Sequence, residues 1–216
     1  MSEDSRPIIG IIGGTGDLGG ALAKCWAAAG YPVIVGSRSR DRAEAFAVSA
    51  GVGMRGMENA LAAAAAEVIV VAVPYASHEA TLLEIRDAAQ GKVVVDAVVP
   101  LVPPKVSVVS LPEEGSAAQI AARLLGEGVR VTSAFHNVGA KKLAPGQQAD
   151  CDVLVFGDDR EARDLVIGLA GAVVARGIDG GALANSAAAE ALTSVLIAIN
   201  RRYRVNGAGI KITTIE

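Results

Sequence analysis

The chain of 216 residues has few aromatic side chains, only two cysteines and only two histidines. Aromatic residues make up 3% of the sequence, so the core must be built from small aliphatic side chains. Cys25 and Cys151 stand far apart without neighbouring histidines, which argues against a disulfide framework and indicates no metal site. We expect both cysteines to be buried as small apolar residues.

The charge balance and the hydropathy pattern argue against two further classes of protein. A net charge of -3, with no basic stripe interleaved with aromatics, predicts no nucleic-acid partner. No apolar stretch is expected to be long enough to span a bilayer, and residues 1–6 are polar rather than signal-like. We therefore expect a cytoplasmic protein with no membrane partner. Its 51% of hydrophobic residues is ample for a buried core.

What the chain does have is a glycine-rich turn that follows a short, mostly β-branched run at residues 8–12, typical of a buried parallel strand. The turn fits the pattern G-x-G-x-x-G, in which the first glycine permits a tight turn, the second lets the backbone approach a pyrophosphate and the third lets the helix pack on the strand. A helix-forming segment at 21–29 and a strand at 33–35 complete a βαβ unit. The predicted dinucleotide-binding residues are Gly14, Thr15, Gly16, Asp17, Leu18 and Gly19.

Cationic residues follow the second strand, where an enzyme that uses NAD usually carries a carboxylate. Ser37 and Arg38 are followed by Arg40 and Arg42, and a hydroxyl with several guanidinium groups suits the extra phosphate of NADP. The alternative is a solvated helix start at residues 39–44 in which the arginines pair with nearby acids.

Strand and helix patterns alternate along the rest of the chain, which predicts an α/β fold. We expect a Rossmann-type doubly wound parallel sheet with a smaller C-terminal α/β portion. Residues 1–145 are predicted to form the NADP-binding domain, and residues 146–216 a smaller domain that walls the substrate cleft. The predicted strands after the first unit are 68–73, 92–96, 130–134, 153–156 and 173–175, and the predicted helices are 60–66, 78–89, 116–125, 160–170 and 183–202.

Several polar residues stand where predicted strands or helices end. His136 follows a strand and is a candidate ligand contact, although such a histidine is as often a hydrogen-bonded structural residue. His78 is interpreted as structural, with Ser77 as a helix cap. Asp96 could orient a ligand or only support a turn.

With these segments placed, the chain resembles the NADPH-dependent reductases of the deazaflavin coenzyme F420. The resemblance spans nearly the whole length. It rests on the motifs IGGTGDLG (12–19), VGSR (35–38), AVPY (72–75), SAA (116–118), SAFH (133–136), FGDD (156–159), LANS (183–186) and NGAGIK (206–211).

The resemblance implies an NADPH-dependent oxidoreductase in which a hydride passes directly between the nicotinamide and the deazaflavin, with no catalytic side chain. By the family pattern, Thr15, Ser37, Arg38 and Arg42 would hold the extra phosphate. His136 would lie where the deazaflavin ring docks. The residues that would flank the nicotinamide are Val73, Pro74, Val99 and Pro100.

One position departs from the family pattern: after Asn185 and Ser186, members commonly carry an arginine that suits the anionic coenzyme, and this chain has Ala187. Cations at 141–142 or at 201–204 are candidates to replace that charge.

Two other functions stay open at this stage. One is an NADPH-dependent reductase of a free flavin or another small-molecule acceptor, since similar domains form the reductase part of membrane ferric reductases. The other is a non-catalytic NADP-binding sensor. In each case Gly209 and the apolar last helix are candidates for a homodimer interface.

Overall fold

The strands predicted from the apolar runs form one sheet in the computed structural model, which describes residues 6–51 and 53–215. The strands are β1 (Ile9–Ile12), β2 (Val33–Ser37), β3 (Met54–Glu58), β4 (Val68–Val71), β5 (Val93–Asp96), β6 (Arg130–Ser133), β7 (Ala149–Gly157) and β8 (Val174–Gly181). The helices are α1 (Asp17–Ala28), α2 (Arg40–Ala50), α3 (Asn59–Ala65), α4 (His78–Ala89), α5 (Ala117–Leu125), α6 (Arg160–Gly171) and α7 (Ser186–Tyr203).

The sheet order is β3-β2-β1-β4-β5-β6-β7-β8, with every neighbouring pair parallel except β6 and β7. The order reverses between β1 and β4, which is the switch point at which an open α/β sheet binds its ligand. The predicted α/β fold of Rossmann type is therefore confirmed. The chain turns back at the β6–β7 step, so the last two strands run opposite to the first six within the same sheet.

The sequence prediction missed β3. This edge strand, of sequence MRGME, is only partly buried, and its mixed composition gives neither an apolar run nor a clear alternation. It forms because α2 packs directly on it: a side chain at Gly56 would collide with the backbone of Ala43. The strand therefore depends on a tertiary contact that its own residues do not signal.

Aliphatic residues form a core on each face of the sheet. On the face covered by α1 and α6, Trp26 packs edge-on against Phe135 with ring centroids 5.5 Å apart. The indole Nε1 of Trp26 donates to the carbonyl of Leu169 at 2.9 Å, which ties α1 to α6. Cys25 and Cys151 are both buried and unpaired, as expected.

The last helical segment corrects the expectation that no apolar stretch is long enough to span a bilayer. By length and composition, Leu183–Tyr203 could cross a membrane, with a mean hydropathy of 1.3 over its apolar window and 33% of that window buried. A single helix of this kind is weak evidence for a membrane, because core helices pass the same test. The segment also carries the buried acid Glu190, whose carboxylate bonds to α5.

Candidate functional site

The glycine-rich turn places the start of α1 at the carboxyl edge of the sheet. Gly13, rather than Gly14, has the left-handed backbone, with φ of 80°, and a Cβ there would lie 2.7 Å from the carbonyl oxygen of Ala72. A Cβ on Gly19 would lie 2.8 Å from the carbonyl oxygen of Gly13, so close packing of helix on turn requires glycine. Gly16 is the N-cap of α1 and makes no side-chain cap bond. The first-turn amides of α1 thus face the edge without a capping side chain, as an anion site requires.

A cavity of about 240 Å³ opens beside this turn and extends along the ends of β2 and β4. Its lining combines the glycine turn, the polar residues after β2 and the apolar residues after β4. The predicted residues in its wall are Thr15, Gly16, Ser37, Arg38, Arg42, Val73 and Pro74.

The arginines after β2 divide into one that is paired and two that are not. Arg40 donates to Glu44 at 2.7 Å, one turn along α2, which is the alternative considered from the sequence. Arg38 and Arg42 both line the cavity, and neither has an acidic partner in the parts of the chain that the structure describes. Two guanidinium groups therefore remain available beside Ser37 for a dianion.

The end of β5 is held by a buried ion pair or hydrogen bond between Asp96 and His78. Oδ2 of Asp96 lies 2.7 Å from Nε2 of His78, and both side chains are at most 1% exposed. Oδ1 of Asp96 accepts a bond from the backbone amide of Val98 at 3.0 Å. The pair thereby fixes the turn that leads to Val99 and Pro100. These two predicted residues follow β5 at the same edge but lie outside the cavity wall.

Phe135 and His136 form a constrained turn after β6. Phe135 is buried and has a positive φ of 68°, an unusual backbone for a bulky residue. Nε2 of His136 lies 3.0 Å from Oγ of Ser133. Burial lowers the pKa of His136 to about 4, although the nearby carboxyl of Asp96 acts in the opposite direction. His136 is therefore a neutral imidazole at physiological pH.

Helix α7 covers this turn and fixes it by side-chain hydrogen bonds. Nδ2 of Asn137 donates to the carbonyl of Ala189 at 2.8 Å, and Oγ1 of Thr193 donates to the carbonyl of His136 at 2.9 Å. Ala187 lies in the first turn of the same helix and is partly exposed. The helix that carries the departure from the family pattern thus also supports His136.

The C-terminal segment, residues 206–212, passes on the other side of the turn at Phe135 and His136. The amide of Ala208 donates to Oδ1 of Asn200 at 2.9 Å, and the amide of Ile212 donates to Oδ2 of Asp152 at 2.6 Å. Asp152 is buried, and Arg176 binds both of its carboxylate oxygens, at 2.9 and 2.8 Å. The Arg176 guanidinium lowers the pKa of Asp152, so the segment is held by a charged pair at neutral pH.

A second cavity, of about 410 Å³, lies between the start of α1 and this C-terminal segment. Asp17 lines it beside Lys141, Asn200 and Asn206. It is therefore adjacent to the glycine turn yet separate from the cavity at Arg38. Lys142 instead lines a neighbouring cavity with Lys211, and Arg201 points to Ser107 on another side of α7. Lys141 therefore lies beside the glycine turn, whereas Lys142 and Arg201 do not line this cavity.

Two of the remaining predicted residues, Gly14 and Leu18, support the glycine turn from the side of the core. Gly14 lies under it, where its amide donates to the carbonyls of Ile11 and Gly36. Leu18 is partly buried against the core. Ser77 makes no cap bond for α4, contrary to expectation, but lines the first cavity.

Sequence reasoning missed Asn59 and Thr81, which line the first cavity, and Glu190. Asn59 and Thr81 stand in helices with no local signal for a ligand. Glu190 did have one, because it is the only charged residue between positions 183 and 200.

The switch point, the glycine turn and the cation-lined cavity together define a dinucleotide-binding protein of the Rossmann class. Comparison with known proteins then narrows the class. Residues 8–100 match the family model described as NADP oxidoreductase, coenzyme F420-dependent.

Full-length relatives agree with that match. The chain is 41% identical to the F420-dependent NADP reductase of Methanothermobacter thermautotrophicus, over 96% of this chain and 95% of that protein. It is 36% identical to the enzyme of the same name from Methanocaldococcus jannaschii, over 96% and 99%. The chain belongs to the family of F420-dependent NADP reductases.

A solved structure supports the assignment of the fold. A protein from Arthrobacter sp. FB24, described as a candidate F420-dependent NADP reductase, superposes with a TM-score of 0.80 at 25% identity, over 95% of this chain and 98% of that one.

Proposed function

We propose that this chain transfers a hydride between NADP(H) and coenzyme F420. The observation that carries the proposal is the cavity in which Thr15, Ser37, Arg38 and Arg42 meet at the carboxyl edge, in a chain that belongs to this reductase family. The protein is an NADPH-dependent oxidoreductase, and NADP(H) and F420 are its redox partners.

The geometry fits the NADP end of that pair. We assign the extra phosphate to Ser37, Arg38 and Arg42, because two unpaired guanidinium groups and a hydroxyl provide charge-assisted hydrogen bonds to a dianion. The pyrophosphate is assigned to the first-turn amides of α1, at residues 17–19. The nicotinamide is assigned to the edge between Val73 and Pro74 after β4 and Val99 and Pro100 after β5.

The protein's own contribution to the reaction is then to hold two rings in contact. NADPH supplies the hydride when bound. The chain must align the rings and exclude water, which the buried turn at Phe135 and His136 under α7 is built to do. Because His136 is neutral, it offers a hydrogen-bond partner at the acceptor position without adding charge.

Turnover decides between this proposal and its alternatives. Purified protein is mixed with NADPH, and oxidation is followed with coenzyme F420 and, in parallel, with flavin mononucleotide. We expect oxidation with F420 and little with the flavin. Turnover only with the flavin would assign a free-flavin reductase, and NADPH binding without turnover on either acceptor would assign a sensor.

Three further expectations belong to the same proposal. Residues 1–145 are proposed to bind the dinucleotide and residues 146–216 to wall the cleft, and the protein is proposed to work in the cytoplasm. It is also proposed to be a homodimer, because α7 presents Val195, Ile199 and Tyr203 to solvent along one side. Sedimentation velocity of the protein and of Ile199→Glu tests the dimer, which the added charge should dissociate.

A further inference from the structure

Glu190 is a buried acid in helix α7, whose other charged residues, Arg201 and Arg202, lie in its last turn. Only 1% of the residue is exposed, and it lies in the second turn of α7. A carboxyl group loses its hydration when it is buried, so it persists in a core only where hydrogen bonds replace water. Its partners therefore indicate what the residue holds in place.

Both carboxylate oxygens accept bonds from the first turn of α5. The amide of Ala117 donates to Oε2 at 2.7 Å, and the amide of Ala118 donates to Oε1 at 3.2 Å. These amides have no partner within their own helix, and the positive end of the helix dipole favours an anion there. Beside them, Oγ of Ser186 donates to Oγ of Ser116 at 2.9 Å. The N-terminal half of α7 is thus joined to the start of α5.

The residues next to Glu190 hold the turn at the acceptor side. Ala189 accepts the bond from Asn137, and Thr193 bonds to the carbonyl of His136. The depth at which α7 sits against α5 therefore sets the position of His136 relative to β5. A helix released from α5 would carry the turn with it.

We propose that Glu190 is a positioning residue for the acceptor, because its ionised carboxylate binds both first-turn amides of α5 and so fixes α7 and His136 at the distance that hydride transfer requires. This role rests on the proposed function. It adds a residue that lines neither the cavity at Arg38 nor the cavity at Asp17. A neutral carboxyl replaces one carboxylate oxygen by a weakly accepting hydroxyl, and the amide of Gln replaces it by a donor, so either form binds the two amides less well than the carboxylate does.

Groups on three neighbouring elements act on this carboxyl. Burial raises the pKa of Glu190 to about 7, the two amides of α5 lower it, Asp96 at the end of β5 raises it and His78 on α4 lowers it. Tyr75, in the turn before α4, is the other titratable side chain coupled to it. The bond to α5 therefore weakens as the pH falls through neutrality.

The test compares the unaltered protein with Glu190→Gln, which keeps the volume and removes the charge. We measure KM for F420 and for NADPH between pH 5.5 and 8.5. At pH 8.5 the variant is expected to raise KM for F420 about tenfold with KM for NADPH unchanged, and the two proteins are expected to converge near pH 5.5. Titration of F420 itself affects both proteins equally, so it cancels in the ratio of their KM values for F420.

Glu114→Gln is the matched control, because it removes an exposed acid near the same helix start, one that pairs with Arg123 on the surface. It should leave both KM values unchanged. A pH-independent ratio for Glu190→Gln, or an equal rise in KM for NADPH, would overturn the positioning role. If the unaltered protein does not reduce F420 at all, the proposed function fails, and the bond is tested by hydrogen exchange. Faster exchange at Ala117 and Ala118 in the variant at pH 8.5 supports the role in fixing α7, and unchanged exchange overturns it.

Discussion

Asp96 and His78 are joined through a 2.7 Å contact that is shielded from solvent, and the same carboxylate receives the amide of Val98. One side chain therefore links α4, the end of β5 and the turn on which the nicotinamide is proposed to lie. Removing a buried partner leaves polar groups unsatisfied, which is more costly than the bond itself is worth.

We expect Asp96→Ala to lower the free energy of unfolding by about 3 kcal/mol, measured by urea denaturation. Asp96→Asn should lose clearly less, because the amide oxygen still accepts from Val98 and the amide nitrogen still reaches His78. Equal losses in the two variants would mean that the hydrogen bonds do not determine the stability of this turn.

Arg38→Ala should raise KM for NADPH by about tenfold to a hundredfold, since a charge-assisted bond contributes about 1.5 to 3 kcal/mol. KM for NADH should change little, because NADH lacks the phosphate that Arg38 is proposed to bind. Arg40→Ala is the matched control, as Arg40 pairs with Glu44 on the surface. An equal rise for both cofactors would contradict the phosphate role of Arg38.

Ala187→Arg should lower KM for F420, because it adds a cation for the anionic coenzyme at a partly exposed position in the first turn of α7. We expect a few-fold effect that shrinks as salt is added, since screening weakens exposed charges. Ala188→Arg places the same charge on an adjacent, exposed position and should have a smaller effect. No difference between the variants would show that Ala187 does not face the acceptor.

The stability of the protein should carry a component that falls as pH rises through neutrality. The pKa of Glu190 is raised in the folded state from 4.5 to about 7, so the folded protein holds this proton more tightly than the unfolded chain does. Its contribution is therefore complete below about pH 4.5 and is lost as pH increases through 7. Thermal unfolding of Glu190→Gln should lack this component, and identical pH profiles for the two proteins would contradict the raised pKa.

The local signals in the sequence were sufficient for the first βαβ unit, although not for β3. The strand at residues 9–12, the glycine turn and the helix after it are each specified by neighbouring residues, so the βαβ unit and the cations at Arg38 and Arg42 could be found without a structure. Helix α4 was predicted at its observed bounds because its amphipathic pattern is local. The Ser77 cap prediction was wrong, because residues 75–77 form a 3-10 turn that continues into α4 and give Ser77 a helical backbone instead of the extended one of an N-cap.

Tertiary packing decided what those signals could not. Strand β3 forms because α2 covers Gly56, and the reversed direction of β7 follows from the path of the chain after β6. Lys141 lies beside the glycine turn because residues 140–142 pack near the start of α1, whereas Arg201, in the last turn of α7, bonds to Ser107.

The sequence by itself therefore determined the class of fold, the dinucleotide turn and the preference for NADP, because each of these depends on residues within a few positions of one another. Only the tertiary structure decided that Arg40 pairs with Glu44 while Arg38 and Arg42 have no acidic partner among residues 6–51 and 53–215, and that Glu190 reaches the start of α5. The bonds from Glu190 join residues more than 70 positions apart. No local pattern encodes such contacts, since they arise when two helices dock at the same edge of the sheet.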